Sequence, residues 1–330
     1  MKAVEFTSYG IPHEVCRCVD VEDVGPPEPG EVVVEIEASA INPADLLIVE
    51  GRYPGPAELP ARLGIEGVGT IVAVASDVEG LAVGDRVVSL DRANWAQRVR
   101  IPAGRAVKVP PDTDVLQLAQ LKANPPSAML MLRNYVDLEP GDWVVQNAAN
   151  SGVGQHVIRL ARAAGIRTAN IVRREEAVAP LEEIGADVVL VDGDDVAERL
   201  RAATGGAGAR LALDAVCGDA TRRLADCLED GGTVVTYGFL SGEPCTVTPH
   251  QLILHDISLK GFWMVKEGGR MTPGELHAMY RELAGKFSDG TLHVPVEATF
   301  GLEDIATALE RSWRFHRTGK IVLTPNGPVG

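Results

Sequence analysis

The chain has 330 residues, 45% of them hydrophobic, and a formal net charge of −15, which suits two domains with substantial cores. The acidity argues against nucleic acid as a general partner, since binding phosphate needs a basic face, and it disfavours long-range attraction of an anionic substrate. No apolar stretch approaches the roughly 20 residues that span a bilayer.

Met1-Lys2-Ala3-Val4-Glu5-Phe6 reads directly as a strand, with no sign of a signal or transit peptide, so a cytoplasmic protein is expected. The first third continues β-rich. Val32-Val33-Val34-Glu35-Ile36 has strand character, 67–74 gives another apolar run, and Gly84-Asp85-Arg86-Val87-Val88 follows a turn. Gly and Pro punctuate these runs at Gly25-Pro26-Pro27, Pro29-Gly30 and Pro54-Gly55-Pro56.

From about Asp142 the rhythm changes to alternating strand and helix. The spacing predicts strands at 143–147, 168–172, 188–191, 211–216, 233–237 and 257–262, with helices such as 154–164, 175–184 and 220–228 between them. Such alternation implies a parallel sheet covered by helices on both faces. A helix over 302–315 and a strand at 320–323 form a tail that returns to the first domain. The expected fold class is therefore α/β: a doubly wound Rossmann domain over 122–265, and a β-rich domain made of 1–121 with 266–330. Cys16, Cys18, Cys217, Cys227 and Cys245 are odd in number and lack a C-x-x-C pair, and read as reduced, mostly packing thiols.

The most informative stretch is Gln146-Asn147-Ala148-Ala149-Asn150-Ser151-Gly152-Val153-Gly154, between a strand pattern and a helix pattern. A turn of small residues there lets backbone N–H groups at a helix N-terminus approach a pyrophosphate. Ala149 and Ser151 replace the first two glycines of G-x-G-x-x-G. At the end of the next strand, where a fold selecting NAD usually carries an acid for the ribose 2′-hydroxyl, stand Arg173 and Arg174. Two cations suit the 2′-phosphate of NADPH. The plainer reading is an ordinary βα turn beside solvated arginines.

The local motifs extend this. Ile41-Asn42-Pro43-Ala44-Asp45, Gly51-Arg52-Tyr53, Glu58-Leu59-Pro60 and Glu66-Gly67-Val68-Gly69 resemble the quinone reductase and enoyl reductase branches of the medium-chain dehydrogenase/reductase superfamily. Asn124-Pro125-Pro126-Ser127-Ala128, Pro140-Gly141-Asp142, the 146–155 block, Tyr237-Gly238, Gly261-Phe262-Trp263 and Gly319-Lys320-Ile321-Val322-Leu323 resemble its mitochondrial-type 2-enoyl thioester (enoyl-CoA) reductases. The resemblance implies a GroES-like β-rich catalytic domain and an NADPH-binding Rossmann domain. Zinc-dependent relatives carry Cys at the position of Asn42 and His at that of Ile65, and neither Asn nor Ile replaces those ligands. No metal is expected.

Within that family, hydride reaches the β-carbon of an enoyl thioester or enone, negative charge develops on the carbonyl oxygen, and a proton must reach the α-carbon. The resemblance implies Tyr53 as the proton donor; a tyrosine hydroxyl is protonated at neutral pH. A loop aromatic packed among Pro54, Pro56 and Pro60 is the alternative. Asn42 is placed on the substrate side and Asn124 on the cofactor, each against the reading of a turn-forming Asn beside proline. Asn150, Ser151, Gly152 and Val153 are expected to cradle the pyrophosphate, and Arg173 and Arg174 to meet the 2′-phosphate, with Glu175 an unfavourable neighbour. Tyr237, Gly238, Phe239 and Leu240 end a strand where doubly wound folds bind ligands. Phe262, Trp263 and Met264 either line the nicotinamide end or pack the edge strand. Lys320 matches a cofactor-contacting lysine, against a solvated one.

Three functions follow: an NADPH-dependent 2-enoyl thioester reductase acting on acyl-CoA or acyl carrier protein; an NADPH:quinone or enone reductase, for which Tyr53 is not required; and a non-catalytic NADPH-binding protein. A homodimer is expected from the resemblance. Basic residues cluster at Arg311, Arg314, Arg317 and Lys320 and at Arg98, Arg100, Arg105 and Lys108, as candidate docking faces or as solvated surface.

Overall fold

The structure, a computed structural model, describes residues 1–314 and 317–329. It divides into two compact units, one of residues 1–123 with 272–330, the other of 124–271. The second unit runs six residues past the expected boundary at 265. The reason is that helix Met264–Gly268 packs on helix Asn124–Asn134 of the same unit and buries Glu267.

In the first unit, strand Glu31–Ala40 is the organising element. It pairs antiparallel with Gly67–Val74, Arg98–Pro102 and Lys320–Leu323, so the C-terminal strand lies in the same sheet as the N-terminal ones. Lys2–Phe6 lies in a smaller sheet between Cys16–Asp20 and Ala61–Arg62. Val32, Val34 and Ile36 alternate along Glu31–Ala40 and bury one face with Ile71, Val87 and Ile101, as period-two patterning requires. A second core gathers Val4, Phe6, Ile41, Leu46, Ile48, Trp95, Ile305, Leu309 and Ile321. The tail expected as one helix is a 3₁₀ turn, Leu302–Asp304, followed by helix Ile305–Trp313. Its expected end at Phe315 lies outside the described residues.

Among the described residues of the second unit, six parallel strands stand in the order Val188–Val191, Arg167–Val172, Trp143–Gln146, Ala209–Asp214, Leu228–Thr236, Ser258–Gly261. Chain order reverses between Trp143–Gln146 and Ala209–Asp214. That reversal is the topological switch point, outside whose strand C-termini doubly wound folds bind ligands.

Candidate active site

In the second unit the 146–154 turn is held from beneath. Gln146 Nε2 donates to the carbonyl of Gly154 at 2.9 Å and to Asn170 Oδ1 at 2.7 Å, tying strand, helix and neighbouring strand together. Ser151 caps helix Gly152–Ala163 by accepting the Gly154 N–H at 3.1 Å, a common role for Ser at this position. Gly154 is obligatory: an added Cβ would lie 2.4 Å from the Ala149 carbonyl oxygen. Asn150 is exposed, while Ser151, Gly152 and Val153 are half-buried at the helix start. The backbone there thus offers N–H groups and a helix dipole to an anion.

Gln146 pairs in register with Asn170, so Arg173 and Arg174 emerge at the same sheet end as this turn, beside Ala149, whose N–H bonds the Ile171 carbonyl. Arg173 is exposed and Arg174 half-buried, with Glu175 exposed next to them. This arrangement fits a dinucleotide carrying a 2′-phosphate: donors for the pyrophosphate and two guanidinium groups one strand away.

On the other side of the switch point, Asn147 Nδ2 donates to Asp214 Oδ1 at 2.7 Å, and Asn147 Oδ1 accepts the Ala215 N–H at 2.7 Å. Tyr237 follows strand Leu228–Thr236; its hydroxyl is buried near Ser151, and burial pushes that phenol up. Gly238 is half-buried, Phe239 and Leu240 are exposed. Phe262 is buried and stacks at a tilt on Tyr135, with centroids 6.5 Å apart, so it serves edge-strand packing. Trp263 stays 39% exposed, and half-buried Met264 opens the next short helix. Asn124 begins helix Asn124–Asn134 and is half-buried.

The first unit holds a buried ionic cluster. Asn42 precedes helix Pro43–Val49, and its N–H is accepted by Asp45 Oδ2 at 2.9 Å, while Asp45 Oδ1 takes the Ile65 N–H at 2.9 Å. Asn42 Oδ1 accepts from the Lys320 ammonium, and Asn42 Nδ2 donates to Glu66 Oε1 at 2.5 Å. Glu66 Oε2 accepts the Ala123 N–H at 3.1 Å. Lys122 donates to the carbonyls of Ile65 and Asp91, the latter at 2.7 Å. Burial dominates the electrostatics. It pushes Asp45 up to about 7 and Glu66 upward, and brings Lys122 down to about 7 and Lys320 down to about 8.

Lys320 is thus neither solvated nor at the surface: it is 7% exposed and fixes the Asn42 amide. An ammonium hydrogen-bonded to the residue in the ligand position, with an isoleucine in the other, does not fit zinc. Among the described residues, the group of His, Cys, Asp or Glu close enough to share an ion is Asp214, Cys217 and Cys245, in the second unit.

Tyr53 is placed by the end of helix Pro43–Val49. Gly51, at φ +73°, adopts the left-handed conformation that terminates a helix. The Gly51 and Arg52 N–H groups then cap the Ile48 and Leu47 carbonyls. The chain leaves with Tyr53 half-buried against the Val4–Phe6–Ile48 core. The helix that orders Asn42 therefore also delivers Tyr53. Asp45 and Glu66 carried no role in the sequence reading. Their available signals were an Asn-x-x-Asp capping spacing and a lone acid entering an apolar, glycine-rich strand. Lys122 had no such signal.

The family model described as alcohol dehydrogenase GroES-like domain matches residues 28–111, and that described as zinc-binding dehydrogenase matches 152–284. A mitochondrial enoyl-acyl-carrier-protein reductase of Caenorhabditis elegans is 36% identical over 313 residues, 92% of this chain and 90% of that protein. The rat protein of the same name is 34% identical over 98% of this chain and 88% of its own. Escherichia coli quinone oxidoreductase, solved with NADPH, superposes with a TM-score of 0.87 at 28% identity, covering 98% and 100% of the two chains. The expected cytoplasmic location is overturned, because these enoyl reductases are mitochondrial. Composition could not have told the two apart: an address is read from a targeting segment, not from a folded surface.

Proposed function

The chain belongs to the zinc-independent medium-chain dehydrogenase/reductase superfamily, among relatives of the mitochondrial enoyl thioester reductases, and from that premise we propose that it reduces the 2,3 double bond of a 2-enoyl thioester with NADPH. The observation that carries this reading is identity of 36% to an enoyl reductase over nine-tenths of both chains.

NADPH, when bound, supplies hydride to the substrate's β-carbon. The turn at Asn150–Val153, with the helix N-terminus behind it, binds the pyrophosphate, and Arg173 and Arg174 select the 2′-phosphate. Asn124, Tyr237 to Leu240, Trp263 and Met264 complete the cofactor's contacts. Tyr53 donates its hydroxyl proton toward the α-carbon, or a hydrogen bond to the enolate oxygen, as charge develops there. Lys320 and Glu66 hold the Asn42 amide from both sides, so its orientation on the substrate side costs no reorganisation during reaction. Lys320 thereby acts as a positioning residue.

Acyl-CoA is the better thioester. Arg98, Arg100 and Lys108 pair with Asp23 and Glu35, with Glu28 and Glu31, and with Asp85, while Arg311 and Arg314 pair with Glu297 and Glu310. Both basic clusters are thus largely neutralised locally, which weakens them as docking faces for an acidic carrier protein. The functional unit is a homodimer formed through edge strand Ser258–Gly261. All four of its residues are exposed, and Ile253 and Leu254 just before it are 75% and 66% exposed. An unpaired edge of this kind invites pairing with a second copy.

The quinone or enone reading is favoured by the fold match to quinone oxidoreductase. NADPH and NADH oxidation measured with crotonyl-CoA, a longer 2-enoyl-CoA, a quinone and a simple enone separates them. Turnover of the quinone alone would overturn the thioester reading.

A further inference from the structure

Two cysteines that the reaction does not use meet at the carboxyl end of the parallel sheet. Cys217 follows strand Ala209–Asp214 and Cys245 lies in the loop after strand Leu228–Thr236; their sulfurs are 3.5 Å apart. Cys217 holds a backbone φ of +67°, which is unfavourable for a residue with a Cβ. In that conformation its thiol reaches both Cys245 and the Gly238 carbonyl, the latter at 3.0 Å. The two loops are already laced together. Leu240 and Ser241 N–H groups bond the Ala215 and Val216 carbonyls, the Gly218 N–H bonds Pro244, and the Thr246 N–H bonds Gly218.

The neighbouring Asp214 does not turn this pair into a metal site. Its Oδ1 accepts from Asn147, Val216 N–H and Cys217 N–H, and its Oδ2 from Thr221 at 2.6 Å. A carboxylate so engaged is a poor ligand, whereas the thiols need only close on each other, to about 2.05 Å.

We propose that Cys217 and Cys245 form a reversible disulfide when the protein meets a hydroperoxide, and that this cross-link weakens NADPH binding. Cys245 is half-buried behind the exposed segment Ser241-Gly242-Glu243-Pro244, so it is the sulfur attacked first. Cys217 is 4% exposed and lies behind Cys245, which makes it the resolving rather than the attacking group. In the first step the Cys245 sulfur attacks the terminal peroxide oxygen and the O–O bond breaks; the departing oxygen takes the Cys245 thiol proton and leaves as alcohol (water, for hydrogen peroxide), so that Cys245 becomes a sulfenic acid. In the second, the Cys217 sulfur attacks it, an S–S bond forms, and water leaves with the Cys217 proton. Two thiols and one hydroperoxide thus yield one disulfide, one alcohol and one water. A dithiol reverses the change.

Closure draws the sulfurs together by more than 1 Å and ends the Cys217–Gly238 hydrogen bond, shifting the segment 238–246. The effect on NADPH rests on the functional reading above, in which Tyr237, Gly238, Phe239 and Leu240 touch the cofactor.

The full chain is titrated with hydrogen peroxide and followed by intact mass, peptide mapping and NADPH binding by fluorescence. The expected result is loss of two hydrogens, a linked peptide joining Cys217 to Cys245, reversal by dithiothreitol, and an NADPH dissociation constant weakened roughly fivefold or more. Cys245→Ser, and independently Cys217→Ala, should abolish the linkage while Cys16, Cys18 and Cys227 remain. Accumulation of sulfinic acid on Cys245 with Cys217 still reduced would overturn the cross-link. An unchanged dissociation constant in the linked protein would overturn the switch. Failure of both reduced and linked protein to bind NADPH would refute the cofactor reading and the switch together, leaving the cross-link to be judged by its mass.

Discussion

Replacing Lys320 by Met removes one cation from a cluster that the fold has sealed off. Lys320 is 7% exposed, and Glu66 and Asp45 are fully buried. The intact cluster sets two lysines, Lys320 and Lys122, against these two carboxyls; the variant leaves one lysine. Breaking a buried ionic arrangement by removing one partner costs about 3–5 kcal/mol. The penalty has an escape route, which gives it a pH signature. Burial already holds Glu66 above its ordinary value, and loss of the ammonium raises it further. A carboxyl whose folded pKa exceeds its unfolded value binds more protons in the folded state, so the variant is relatively more stable in acid and loses ground as pH rises. Lys320 itself, lowered to about 8 in the folded wild type, makes wild-type stability rise with pH from about 8 toward its ordinary value. That window lies above most of the test range. The destabilisation should therefore be smaller at about pH 5.5 and approach the full figure near pH 8. Urea unfolding followed by tryptophan fluorescence is suitable, because Trp95 is buried in the core shared with Ile41, next to Asn42, and Ile321, next to Lys320. Adding Glu66→Gln should recover part of the loss, with a coupling of at least about 1 kcal/mol. A pH-independent loss below about 1 kcal/mol, or strict additivity of the two substitutions, would refute a coupled buried cluster.

Tyr53→Phe keeps the ring against its core and should lower kcat for a 2-enoyl-CoA by roughly 10²–10⁴ while hardly changing NADPH affinity. A quinone, whose reduced oxygen water can protonate, should be affected much less, and unchanged enoyl turnover would take Tyr53 out of the mechanism. Reversing the charge at Arg173 and Arg174 together should raise the apparent constant for NADPH by about tenfold or more; equal use of NADPH and NADH by the unmodified enzyme would contradict their role. Light scattering at micromolar concentration should report two copies per particle, and the mass of a single chain would exclude pairing through Ser258–Gly261.

Local pattern determined much of this protein. The strand–turn–helix at 143–163, the arginines after Val172 and the alternation beyond Asp142 were legible because period-two and helical spacing, a helix-capping Ser and a close-contact glycine are short-range demands. The chain itself must meet them residue by residue. Helix Asn124–Asn134 was hidden, because its Asn-Pro-Pro opening looks like a turn; the prolines are tolerated there since the first turn needs no intrahelical N–H donors. Asn42, Tyr53 and Lys320 were singled out by resemblance, but as separate residues.

Only tertiary structure joined Asn42 to Lys320. Strand Lys320–Leu323 pairs with the end of strand Glu31–Ala40, with Val322 opposite Ala40. That pairing carries an ammonium to an amide 278 positions away in the chain, with Glu66 closing the arrangement from a third segment. The same holds for Cys217 and Cys245, whose meeting depends on two parallel strands ending side by side. Burial then sets the charge states: an Asp, a Glu and two Lys from separate segments of the chain become a mutually dependent cluster once water is excluded.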